Sequence, residues 1–240
     1  MARPVAETRQ PLSKERVLRA AVELADQGGL ESLSMRKLAD ELGVAAMSLY
    51  YYVPNKDELI TGMVDLVFAE IALPTGEVEW QTAMRQRAHT TRDALNRHRW
   101  AVGLMEAGDT PGPASVRVHD AVLGYLRKAG FSIELTIQAY SVLDAYIYGF
   151  ALQEKHLPFE DAEGAAAVAQ EQARQFEAHA QELAESYPYL AEVVTGHVAD
   201  VGYDAGRSFA YGLDLILDAL ERRRVEATSV AEDASEPDTA

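Results

Sequence analysis

The chain has 240 residues, with 22 Lys+Arg against 38 Asp+Glu, a formal net charge of −16 and no cysteine. That length buries a sizeable core without staples, the missing thiols exclude disulfides, thiol nucleophiles and thiolate metal sites, and the charge taken whole argues against nucleic acid, whose partners normally carry a basic footprint. At 48% hydrophobic and 25% charged residues, with no run of about 18 apolar residues and no apolar stretch behind the N-terminal arginines, the composition predicts a globular, cytoplasmic protein with no membrane partner.

Resolved along the chain, the charge is uneven. Residues 1–60 hold eight basic and nine acidic side chains, a net of −1, which leaves −15 for the remainder. Residues 1–12 read as a flexible arm. The first helix is expected after Ser13, an N-cap followed by Glu15, with Val17, Ala21, Leu24 and Ala25 on one face and Gly28-Gly29 as its stop. A second helix follows Ser34 and runs to Leu42; a very short third spans about Ala46 to Tyr52. Asn55 with Glu58 three residues later forms the signature of a capping box, which launches a helix to about Ile71.

Beyond Pro74-Thr75-Gly76 the apolar spacing predicts helices over 79–97, 99–106, 114–129, 133–155, 163–186 and 190–224, separated by the loop 108–113 and by Gly130, Pro158 and Tyr187-Pro188. Residues 225–240 contain five acidic side chains and no basic one, and read as an acidic, disordered tail. The expected fold class is all-α, with a domain over 13–56 and a larger one over 57–224.

The stretch from Ser34 to Tyr52 carries the chemistry. Two helices this short cannot each bury a full face, but crossing tightly at Gly43 they share one small core built from Leu38, Ala39, Leu42, Val44 and Leu49. This is the pattern of a helix-turn-helix, whose second helix enters a DNA major groove about 12 Å wide. An ordinary helical hairpin has the same spacing, and it is the exposed composition that shifts the weight toward the helix-turn-helix. The outward side of the short helix offers Ala46, Met47, Ser48, Tyr50 and Tyr51, and no acidic residue occurs from Val44 to Asn55. Arg36 and Lys37 precede it and Lys56 follows it, cations where phosphates would run. Tyr52 falls on the inward stripe with Leu49.

The run from Leu12 to Leu59, with Arg36-Lys37-Leu38-Ala39, Leu42-Gly43-Val44, Leu49-Tyr50 and Asn55-Lys56, resembles the DNA-binding domain of the TetR family of bacterial repressors. His98-Arg99-Trp100, Lys128-Ala129-Gly130-Phe131 and Tyr148-Gly149-Phe150 extend the resemblance to the tetracycline-repressor-like branch over nearly the whole chain. It implies a homodimer that binds a palindromic double-stranded DNA operator and leaves it when a small-molecule effector enters the C-terminal domain. Carried over by position, base contacts fall to Arg36, Ala46, Met47 and Tyr50, and phosphate contacts to Ser34, Ser48, Tyr51, Tyr52 and Lys56, with Lys37 beside them.

In the C-terminal half, the helix over 133–155 is apolar on two sides, one stripe being Ile133, Ile137, Tyr140, Asp144, Tyr148 and Ala151, the other Leu135, Ala139, Val142, Tyr146 and Phe150. A helix buried on both faces sits between its own core and a partner. The last helix sets Gly202, Ala205, Gly206, Phe209, Leu213, Ile216 and Leu220 on one side. Helices near 133–155 and 198–222 from two chains are therefore expected to form an intermolecular four-helix bundle. Asp144, a carboxylate on an apolar stripe, is either satisfied by a nearby Arg or His or reads a ligand. The resemblance implies a pocket beneath 133–155 and 79–97, with Arg87, His89, Thr91, Trp100, Met105, Tyr140, Asp144, Tyr148 and Gln153 as lining candidates.

The positions corresponding to that branch's metal-holding side chains fall on Ala72, Met105 and Gln153, poor ligands for Mg²⁺, so a metal-chelated tetracycline is not the expected effector. The six histidines show no i, i+4 pair, and no metal or cofactor is expected. Gly206-Arg207-Ser208-Phe209-Ala210 brushes a nucleophile-elbow pattern, but its last Gly is missing and no strand precedes it, so no enzyme is expected. The competing reading is a helical interaction module that has lost DNA binding, which the near-neutral first 60 residues allow. An acidic body also predicts weak non-specific DNA binding and steep salt dependence of a specific complex.

Overall fold

The computed structural model describes residues 11–73, 77–105, 111–156, 164, 184–193 and 204–233, and among them the chain is helical with no strand. Residues 1–10 of the expected arm, most of the helix over 163–186 and residues 194–203 of that over 190–224 lie outside the described residues. Contacts divide the chain into two compact units at 140/141, inside the helix Ile133–Lys155, so the boundary expected at 56/57 falls within the first unit. No helix among the described residues is long and apolar enough to cross a membrane.

In the first unit, α1 (Lys14–Gly28) starts where Ser13 Oγ accepts from Arg16 N at 3.2 Å, and buries Val17, Leu18, Ala20, Ala21, Leu24 and Ala25. A 3-10 turn (Leu30–Ser32) leads to α2 (Met35–Leu42), capped by Ser34, whose Oγ accepts from Lys37 N at 3.2 Å. Gly43 ends α2 at φ 65°, ψ 38°, a left-handed conformation that a side chain disfavours. Its N–H and that of Val44 return to the carbonyls of Asp40 and Ala39, which fixes the turn into α3 (Ala46–Leu49). The regular helix is shorter than the expected 46–52, because Tyr50 to Tyr52 continue only as a turn that closes on the Leu49 carbonyl.

Asn55 Oδ1 accepts from Glu58 N at 2.8 Å to open α4 (Lys56–Ala69). This helix buries Leu59, Met63, Val67 and Phe68 and packs on both α1 and α6 (Pro113–Lys128). α5 (Trp80–Arg97) is capped by the Glu79 carboxylate, and a 3-10 turn (Arg99–Ala101) stands where a helix over 99–106 is expected. Gly112, at the start of α6, has no side chain to cap it. The cap comes from α4 instead, where Asp65 Oδ1 accepts from Ser115 N at 2.9 Å.

α7 (Ile133–Lys155) matches the expected span, but its buried stripe is Thr136, Ala139, Leu143, Ile147 and Ala151. Ile133 and Ile137, on one of the two apolar stripes expected to face either the core or a partner, are 68% and 59% exposed in the single chain. In the second unit a short α8 (Pro188–Val193) precedes α9 (Ala205–Asp233), which buries Phe209, Leu213, Leu217 and Leu220. Leu217 is fully buried beside them, whereas Ile216, on the apolar side read from the spacing, is half-buried. α9 also runs to Asp233, so the tail expected from Val225 begins as helix. Arg224 to Glu221 at 2.6 Å and Arg223 to Glu226 at 3.3 Å are i, i+3 pairs that carry it onward.

Candidate functional site

The residues singled out around α2 and α3 form an exposed polar and aromatic surface on a buried footing. Leu38 and Leu49 are fully buried and Ala39 nearly so, which fixes the two helices against each other. With the inward side committed, the rest turns outward: Met47 is 79% exposed, Tyr51 86% and Tyr50 42%, and Ser48 is exposed beside them. Tyr52 is half-buried and meets Tyr51 edge-on at 5.1 Å between ring centroids. It thereby stands between the inward placement read from its stripe and the phosphate role carried over by resemblance. Ala46 is half-buried at the start of α3, while Ser34, Arg36, Lys37 and Lys56 are all exposed.

The chemistry of this surface follows from its composition. Ala46 and Met47 present only apolar atoms, which can meet a thymine methyl but can neither donate to nor accept from a base edge. Arg36 supplies a guanidinium fork suited to guanine, and Ser48 and the tyrosine hydroxyls add polar reach. Arg36 and Lys37 occupy the first turn of α2 and Lys56 the first residue of α4, so cations flank α3 on both sides in sequence.

The candidates for a ligand site are distributed less simply. Arg87 and Thr91 are buried on α5, with Thr91 Oγ1 donating to the Arg87 carbonyl at 2.8 Å. The Arg87 guanidinium lies 5.7 Å from the centre of the Tyr140 ring, within cation–π range. Tyr140 in turn faces His119 of α6 at 5.6 Å, and His119 faces Phe68 of α4 at 5.5 Å. This ladder joins α4, α5, α6 and α7 within the first unit. Neither His119 nor Phe68 was marked by sequence, because no local pattern links positions so far apart. His119 Nδ1 donates to the Ser115 carbonyl at 2.6 Å.

His119 also lines a cleft of about 1290 Å³ along α4 and α6, with Asp65, Phe68, Met105, Val116 and Leu123. Met105 is the one sequence candidate on that wall. His89 is half-buried on α5, whereas Trp100 donates its indole N–H to Asp26 of α1 at 2.7 Å and so belongs to a different cluster. Asp144 (buried), Tyr148 (half-buried) and Gln153 (exposed) lie in the second unit.

Two family models match the chain: "Bacterial regulatory proteins, tetR family" over residues 17–63 and "Tetracyclin repressor-like, C-terminal domain" over residues 73–224. The chain is 36% identical over 151 residues to the HTH-type transcriptional repressor DrrR1 of Streptomyces coeruleorubidus, covering 62% of this chain but only 56% of that protein. It is 32% identical over 182 residues to an HTH-type transcriptional regulator of Saccharopolyspora erythraea, covering 75% of this chain and 77% of the relative. Among solved structures, that of ActR from Streptomyces coelicolor in complex with actinorhodin superposes with a TM-score of 0.72 at 26% identity, covering 90% of this chain and 99% of ActR.

Proposed function

The chain belongs to the TetR family of bacterial regulatory proteins, and from that premise we propose that it is a ligand-responsive repressor that binds a palindromic DNA operator as a homodimer and is released by a small-molecule inducer. The observation that carries this reading is the α3 surface. Met47, Ser48, Tyr50 and Tyr51 stand exposed on a fully buried Leu49, with Arg36, Lys37 and Lys56 at the flanking helix starts. An interaction module that had abandoned DNA would have no reason to keep carboxylates away from this surface in a chain holding 38 of them.

Homodimerisation is supported by apolar side chains that the single chain leaves uncovered, Ile137 and Val142 on α7 and Tyr211 and Leu215 on α9. A two-fold dimer presents two copies of α3, which must stand about 34–36 Å apart to fill successive major grooves on one side of the duplex. A ligand that moves α4 spoils this spacing, provided it binds the displaced state more tightly than the DNA-competent one. The Asp65 cap on α6 and the Phe68–His119–Tyr140 ladder supply a mechanical route, since both tie α4 to elements lining the cleft. Apolar walls carrying a few polar groups suit a drug-sized effector. With Ala72, Met105 and Gln153 at the metal-holding positions, that effector is not a metal-chelated tetracycline.

The test is a gel shift with DNA from the region upstream of the chain's own gene. Arg36→Ala or Tyr50→Ala is expected to weaken the shifted complex by about 5- to 150-fold, the range for losing about 1–3 kcal/mol of base contact. A wild-type protein that shifts nothing at about micromolar concentration, where specific binders of this kind are saturated, would favour the interaction module. Thymine methyls add a second expectation. Replacing dT by dU across the bound site should weaken the wild type, and Met47→Ala should lose part of that sensitivity, as read from paired titrations.

A further inference from the structure

Three helix ends meet at His98. The residue closes α5 as its C-cap and is only 6% exposed. Its Nδ1 lies 2.8 Å from Asp26 Oδ1, in the last turn of α1, and its Nε2 lies 3.0 Å from Glu70 Oε1, at the C-cap of α4. Two further donors complete the cluster. The Trp100 indole N–H reaches the same Asp26 oxygen at 2.7 Å, and Arg97 reaches the other Glu70 oxygen at 2.5 Å.

Proton counting sets what the ring must supply to make both contacts. An ionised carboxylate only accepts, and a neutral imidazole donates from one nitrogen alone, so a neutral ring here would set a lone pair against a carboxylate oxygen. The alternative, a protonated carboxyl, is disfavoured at Glu70. Burial raises the Glu70 pKa, but the hydrogen bonds and charges of Arg97 and His98 outweigh it and hold the carboxyl below its ordinary value of 4.5. Asp26 already accepts the Trp100 N–H. A cation also suits the place, because helix C-termini carry partial negative charge.

α1 packs directly on α2, the first helix of the reading head, and α4 joins that head to the remainder of the first unit. We propose that His98 is a positioning residue that donates from both ring nitrogens, clasps the ends of α1, α4 and α5 and so sets the orientation of the DNA-reading helices. The proposal rests on the DNA-binding reading above. Glu70, its carboxyl held below the ordinary range, contributes above that range, and the contribution is lost as pH falls through the lowered pKa.

Two readouts on the full chain test this. In NMR spectra of the side-chain nitrogens at about pH 6.5, both nitrogens of His98, assigned by comparison with His98→Gln, are expected to carry protons; a single protonated nitrogen overturns the proposal. For affinity, the probe is a duplex selected by the wild-type protein from a random-sequence pool, followed by fluorescence anisotropy. His98→Gln is expected to weaken binding by about 5- to 150-fold. Glu70→Gln keeps the shape, and its amide oxygen still accepts from His98, so it should bind better than His98→Gln. Equal affinity in wild type and His98→Gln overturns the clasp. A pool that yields no enriched duplex overturns the DNA-binding reading and the orientation role with it, while the nitrogen spectra still decide the proton.

Discussion

Leu49→Ala is expected to abolish sequence-specific DNA binding, a larger effect than removing any single side chain that touches the DNA. α3 is one turn long, far below the length at which a helix holds itself together in water. Its position therefore comes from packing, and Leu49 is its one buried residue, with no exposed surface at all. Truncating a buried leucine costs about 2–5 kcal/mol, because the cavity adds to the lost transfer energy and closes only as far as the neighbours relax. The neighbours here are few. Leu38, Ala39 and Leu42 on α2 are committed to the same small core, and Ala39 has no volume to fill the gap. Met47 and Tyr51 would keep their chemistry but lose their fixed relation to Arg36 and Lys56, so every contact with the operator fails together. Amide hydrogen exchange checks this directly: protection should drop across 35–53 while the interior of α5 stays protected, and no shifted complex should form. Unchanged protection across 35–53 would show that α3 is held by something other than Leu49.

What the amino-acid sequence made legible, and what it hid, divides by range. The caps at Ser13, Ser34 and Asn55 and the turn at Gly43 all form as expected, because each depends on atoms within four residues of one another. The reading head was visible for the same reason. The His98 cluster was not, since Asp26 and Glu70 lie 72 and 28 residues away from it and neither carries a local signal. The Asp65 cap on α6, across 50 residues, was hidden likewise. Amphipathic spacing showed that α7 and α9 have apolar stripes but not which neighbour each one faces. Hence Leu217 rather than Ile216 went inside, and Ile137 was left exposed on the surface proposed for a second chain. The charge of −16 is the clearest case of scale. Summed over the chain it argues against nucleic acid, yet the exposed surface of α3 carries no carboxylate, and the proposed operator would meet that surface rather than the sum.

The second large effect is expected at Gly212, in the helix proposed to pair with another chain. A Cβ built on Gly212 falls against the Tyr146 hydroxyl and only 2.8 Å from the ring carbon that bears it, well inside van der Waals contact. A methyl group there has to displace a rigid ring instead of the end of a flexible chain. Tyr146 is also well anchored. Its hydroxyl donates to the Phe209 carbonyl at 2.8 Å, its ring stacks on Phe209 at 5.4 Å, and Phe150 meets Phe209 edge-on at 5.1 Å. Gly212→Ala therefore either forces the ring out, with loss of the hydrogen bond and the stack, or spreads α7 from α9 and disturbs the fully buried Phe209 and Leu217. Either route costs about 2–4 kcal/mol, the sum of a modest overpacking penalty, one hydrogen bond and one aromatic pair. In a chain of this size that corresponds to a fall in Tm of about 4–16 °C. Because both helices belong to the proposed bundle, the dimer should dissociate at higher protein concentration in sedimentation velocity. Tyr146→Leu in the same background removes the obstruction, so the double variant should lose less stability than the sum of the two single ones. Simple additivity, or a Gly212→Ala protein with the wild-type Tm, would show that the two helices are not held at this spacing by the Tyr146 ring.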